Sequence, residues 1–108
     1  MGHRLWLDDC RPMPVGFDIH VRAAAEAIQW IAKGDVTSVS LDHDLGDYEG
    51  DGYEVACHIE EMAAKGRLGR LTWAIHSANP VGAARMRVAL ENADRYWDEM
   101  EMPSKNKR

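Results

Sequence analysis

Apolar and polar positions alternate along this chain in two periods, and the switches between them mark its elements. Leu5-Trp6-Leu7 is a short apolar run within Arg4 to Leu7 and reads as a buried strand, closed by Asp8-Asp9. Arg11-Pro12-Met13-Pro14-Val15-Gly16 follows, and its two prolines and glycine exclude an ordinary helix. Phe17 to Val21 fits a second strand with Ile19 and Val21 on one face and His20 on the other; a competing reading starts a helix near His20. From Ala23 to Lys33 the period becomes helical, with Ala24, Ala27, Ile28 and Ile31 on one stripe and Gly34 as the stop. Val36 to Leu41 is the next strand, its small Ser38 and Ser40 suggesting close packing rather than chemistry.

An acidic, glycine-rich loop spans Asp44 to Gly52. A helix is predicted from Gly52 to Lys65, its inner stripe formed by Val55, Ala56, Ile59, Met62 and Ala63, with Gly66 at its end. Leu71 to Ile75 is the fourth strand. Asn79-Pro80 reads as a cap and first-turn proline. The last helix then runs to about Met100, with Met86, Leu90, Ala93, Trp97 and Met100 facing inward. Residues 1–102 form the domain, and 103–108 a polar, basic tail. Strands alternating with helices predict an α/β fold with a mostly parallel sheet. In such sheets ligands bind beyond the carboxyl ends of the strands.

Composition narrows the function classes. The chain has 108 residues, 45% hydrophobic and 29% charged, as expected of one globular domain. A formal net charge of -5 argues against broad nucleic-acid or anionic-membrane binding, and no basic-aromatic pattern for nucleic acid is present. It leaves room for a small phosphorylated ligand held by local donors or a metal. Cys10 and Cys57 form no metal-binding spacing and read as reduced thiols of a cytoplasmic protein. No apolar run approaches the ~20 residues of a membrane span, and no signal peptide is expected.

The candidate chemistry lies at the strand ends. Asp8 and Asp9 are adjacent acids that repel unless a cation or hydrogen bonds offset them. With Asp42 aimed at the same edge, they suit a hard divalent ion, magnesium or manganese. His43 and His76 follow two strands and are expected to face one crevice, as general acid and base near neutral pH. Ser77, Arg11 and the helix start after Asn79 offer donors to a phosphate. Arg11 has an equal reading as the partner of a nearby acid, and Arg85 is a weaker candidate. His3, His20 and His58 read as packing or surface residues. Asp47-Tyr48-Glu49-Gly50-Asp51-Gly52 imitates the start of an EF-hand calcium loop, but His58 stands where the last ligand would be glutamate.

Three stretches together carry a resemblance: Leu5-Trp6-Leu7-Asp8-Asp9-Cys10-Arg11-Pro12, Ser40-Leu41-Asp42-His43-Asp44-Leu45-Gly46 and Ile75-His76-Ser77-Ala78-Asn79-Pro80-Val81-Gly82. Over nearly its whole length the chain resembles the cyclic-phosphate-processing receiver domain family. The resemblance implies a flavodoxin-like, receiver-like three-layer fold, truncated to four strands with the fifth strand missing. It implies metal binding by Asp8, Asp9 and Asp42, and a hydroxyl role for Ser77. An ordinary receiver also has a lysine after a fifth strand, and neither is expected here. A proline loop stands in place of the first crossover helix, and two histidines are added. These departures favour a hydrolytic site over phosphorelay through Asp42. The implied function is opening of a cyclic phosphate, derived from a nucleotide or ADP-ribose, by a metal- and histidine-assisted phosphoesterase. Metal-free catalysis by the two histidines is one alternative. Another is a non-catalytic receiver acting through protein contacts. The sheet edge left by the missing strand offers a surface for a homodimer.

Overall fold

Register explains the layers. In the computed structural model, which describes residues 2–46 and 50–101, four parallel strands lie in the order β2-β1-β3-β4. They are β1 (His3–Leu7), β2 (Ile19–Val21), β3 (Val36–Leu41) and β4 (Thr72–Ile75). Leu5 pairs with Ile19 and Val39, and Leu7 with Val21 and Leu41. Val39 and Leu41 pair in turn with Trp73 and Ile75. Paired residues of a parallel sheet point to one face, and all eight belong to the hydrophobic core or pack against it.

The helices supply the other side of that core. They are α1 (Ala24–Ala32), α2 (Gly52–Ala64) and α3 (Pro80–Glu101). α1 buries Ala24, Ala27 and Ile31, with Ile28 partly buried beside them. α2 buries Val55, Ala56, Ile59 and Ala63, with Met62 half-buried. α3 buries Met86, Leu90, Ala93 and Trp97, and adds Gly82 and Ala89 to the stripe. Gly34 and Gly66 have φ of 88° and 70° and end the first two helices, a left-handed turn that a side chain would strain. The receiver-like α/β class and the four-stranded parallel sheet are as expected.

The opposite face of the sheet is built differently. Trp6 is 8% exposed yet lies outside the core cluster. Its register partners are His20 and Ser40, and Ser40 pairs with Ala74. The loop between β1 and β2 serves as the third layer here. Its Phe17 meets Trp6 edge-on at 5.3 Å, and the Trp6 indole N–H donates to the Arg11 carbonyl. Proline prevents the helix that a receiver-like fold would place there.

Other differences have local causes. Residues 19–21 are strand, which removes the alternative of a helix from His20. β2 is shorter than Phe17 to Val21 because Phe17 turns onto Trp6. Met100 is 53% exposed and does not belong to the inner face of α3. Its thioether end packs toward Gly66, beyond the sheet. The tail at 103–108 and residues 47–49 of the acidic stretch lie outside the described residues. No helix among the described residues is long and apolar enough to cross a membrane.

A close approach fixes how β3 meets α2. A Cβ on Gly52 would run into the Asp42 carbonyl oxygen and lie 2.8 Å from Met86 Cε. The Gly52 N–H also donates to the His43 carbonyl at 2.8 Å. Gly52→Ala therefore overpacks a backbone contact. It is expected to cost about 1–3 kcal/mol, read as a lower midpoint in urea unfolding.

Candidate functional site

The sheet ladder continues one residue past each strand. Asp8 N–H donates to the Val21 carbonyl, Asp42 N–H to Leu7 and His76 N–H to Leu41. Leu7, Leu41 and Ile75 are aligned in register, so Asp8, Asp42 and His76 form the next row. Alternation turns that row toward the Trp6 face, away from the helices.

Asp8 is at the centre. It is fully buried. Its Oδ1 accepts from the backbone N–H of Cys10 and of Arg11, both at 2.8 Å. Its Oδ2 lies 3.0 Å from His76 Nε2 and 3.6 Å from the Arg11 guanidinium. Burial works to raise the Asp8 pKa, but the N–H groups of Arg11 and Cys10 and the His76 imidazole outweigh it and leave the group below its ordinary value. Its backbone carbonyl takes part too, with His20 Nε2 donating to it at 2.8 Å.

His76 is held on several sides. Nε2 faces Asp8, and Nδ1 lies 2.7 Å from Ser40 Oγ. Its ring stacks on Trp6 with centroids 3.8 Å apart and planes within 3°. Arg11 donates to its carbonyl oxygen. Burial pushes the His76 pKa below the usual imidazole value, against the opposing pull of Asp8 and Asp42.

The three acids converge as expected. Each of Asp8, Asp9 and Asp42 offers an oxygen, and these lie within 4.8 Å of one another. Asp42 is 7% exposed, and its Oδ1 accepts its neighbour's N–H, from His43 at 2.9 Å. Burial raises its pKa, and the Asp8 charge adds to the rise. Two buried carboxylates in mutual repulsion and an exposed third fit a hard divalent ion, which takes one or two carboxylates and water.

His43 has a different set of neighbours. Nδ1 donates to Asp44 Oδ1 at 2.8 Å, and Nε2 is 3.9 Å from Asp51. The ring packs on the first turn of α3, where a Cβ on Gly82 would overlap it. The expected single crevice shared by His43 and His76 is therefore not what their contacts describe. His43 comes two residues after β3 and His76 one residue after β4, so alternation sends them to opposite sides of the sheet. His43, Asp44, Leu45, Gly46, Gly50 and Asp51 line one cleft, and a Cβ on Gly46 would lie 3.4 Å from Asp9 Oδ2.

The other expected residues serve local structure. Asn79 caps α3, its Oδ1 accepting from Gly82 N–H at 2.9 Å, while Ser77 Oγ accepts from Asn79 N–H at 3.0 Å. Arg11 stands against Asp8, the ion-pair arrangement, and Arg85 lies over the Tyr53 ring. In the sequence, Ser40, Trp6 and His20 read as packing or surface positions. The signal for Ser40 and Trp6 was available: each sits two residues before an acid of the row, on the same face.

Opposite pKa directions give opposite pH effects. Asp8 is lowered in the folded chain, so it adds stability above its ordinary pKa and loses it as pH falls through the folded value. Asp42 is raised, so its cost grows as pH climbs from the ordinary value toward the folded one and is complete above it. Without divalent ions, Asp42→Asn should thus raise the melting temperature at pH 7, while Asp8→Asn should lower it. Both differences should shrink toward pH 3.

The model of the family described as "Cyclic-phosphate processing Receiver domain" matches residues 3–92. No curated protein and no solved structure matches the chain. The matched span contains all four strands, the acid row and both strand-end histidines, and the chain belongs to the cyclic-phosphate-processing receiver domain family.

Proposed function

We propose that this domain hydrolyses a cyclic phosphate ester carried by a small nucleotide- or ADP-ribose-derived ligand. The observation that carries the reading is the meeting of Asp8, Asp9 and Asp42 beside a carboxylate-bound imidazole at the carboxyl edge of the sheet. Water adds to phosphorus, one ring P–O bond breaks, and the departing oxygen takes a proton to leave a phosphomonoester. A magnesium or manganese ion held by Asp8, Asp9 and Asp42 would supply Lewis-acid polarisation and a more acidic water. Asp42 and exposed Asp9 are suited to that ion, since a cation would offset the burial and repulsion at Asp42. Arg11, Ser77 and the start of α3 after Asn79 would favour the added negative charge, although Ser77 and Asn79 must share their oxygens with the helix cap. His43 and His76 are the imidazoles at this edge, and they serve the proton transfer directly or by holding its acids in place.

One observation favours a second reading, a receiver-like module that binds metal or phosphate without turnover. Both ring nitrogens of His76 are already engaged within the protein. Such a module would act through partners, and a second copy pairing along β4, the sheet's edge strand, is the partner proposed for either reading.

The two readings separate in a panel of cyclic nucleotides and a cyclic phosphate of ADP-ribose, followed by phosphorus NMR with and without magnesium or manganese. An enzyme converts at least one member, and His43→Ala or His76→Ala lowers that rate by roughly 10²–10⁴-fold. No conversion of any member by the folded wild-type protein would sink the enzymatic reading.

A further inference from the structure

The two strand-end histidines differ in what their nitrogens can still do. Asp8 is an ionised acceptor with two backbone N–H groups on its other oxygen, so His76 Nε2 must carry the hydrogen of the bond between them. The Nδ1 lone pair then accepts the Ser40 hydroxyl hydrogen at 2.7 Å. The flat contact with Trp6 opposes ring rotation, and Ser40 itself is 4% exposed. His76 is thus saturated, and its bond to Asp8 fixes which way that carboxylate points.

His43 is the converse. Asp44 accepts its Nδ1–H, which leaves the lone pair on Nε2. At 3.9 Å from Asp51, Nε2 has no hydrogen bond there, and the ring lines a cleft with Gly46, whose backbone passes beside the Asp9 carboxylate. Gly82 gives the ring its seat, since a side chain at that position would displace it.

We infer that the two histidines divide the work: His76, clamped by Ser40 and Trp6, is a positioning residue for Asp8, and His43, oriented by Asp44, exchanges the proton with the ligand. The second half rests on the phosphoesterase reading; the first does not. In that reaction the proton of the attacking water passes to His43 Nε2 as the new P–O bond forms. The same proton then passes from Nε2 to the ring oxygen as the old P–O bond breaks, which restores the neutral imidazole.

Three measurements test this on the full chain. Nitrogen-15 histidine spectra of the metal-free protein should show His76 as the Nε2–H tautomer. Asp8→Asn, whose amide can donate, should swap the proton to Nδ1, with Ser40 accepting. Manganese binding, read by electron paramagnetic resonance without any phosphate, should weaken by about 10–100-fold in His76→Ala and in Ser40→Ala. Ser40→Thr should restore it, and His76→Gln, which keeps a donor toward Asp8, guards against a folding failure by falling between. His43→Ala should keep manganese affinity within about twofold while abolishing kcat, since acid–base groups supply roughly 10²–10⁴. Asp44→Asn should lower kcat with KM unchanged.

An Nδ1–H tautomer for wild-type His76, or manganese affinity unmoved by His76→Ala, overturns the positioning role. Turnover that survives His43→Ala overturns the proton role. If the wild-type protein converts no cyclic phosphate, the proton role falls with the phosphoesterase reading. The tautomer and manganese data then still decide His76.

Discussion

The Asp8 carboxylate joins what the backbone alone would leave apart. One oxygen gathers the N–H groups of the turn after β1, and the other holds His76 at the end of β4. Between those strands lies β3, so the bond spans the sheet above Asp42. A buried carboxylate without such partners would be strongly disfavoured. With them it remains ionised, and its charge in turn raises the pKa of Asp42. A charge conflict is thereby built into the site.

That arrangement needs the missing helix. All three helices join the core on one face of the sheet, and a proline loop lies on the other. The loop is thin enough for Trp6, Ser40 and His76 to pack directly on one another. A crossover helix would bring its own apolar stripe to this face and compete for Trp6. β4 stands at the edge of the described sheet, with Thr72 and Ala74 exposed.

Much of this was legible in the residues. Strand and helix periods located every element to within a few residues, and the apolar runs ending in Asp8-Asp9, Asp42 and His76 marked the working edge. The acid trio followed from that placement, because a parallel sheet aligns its strand ends. The partners of the two histidines did not follow. Ser40 reads as a packing residue, and its hydroxyl matters only because β4 brings His76 within 2.7 Å of it. Phe17 leaves β2 and Met100 leaves the inner face of α3, and short-range periodicity does not report what lies beyond the end of an element.

What the sequence determines by itself is therefore local and additive: where the chain is extended or helical, where it must turn, and which ends carry charge. Propensity, capping and alternation act over a few residues and need no partner from elsewhere. Tertiary structure decided the hydrogen bonds: Asp8 with His76 across the sheet, His76 with Ser40, His43 with Asp44 over Gly82. Those depend on register and on a one-residue difference in how far each histidine stands past its strand. A shift of one residue turns a side chain to the other face, so the roles of two identical imidazoles were set by the packing of the sheet.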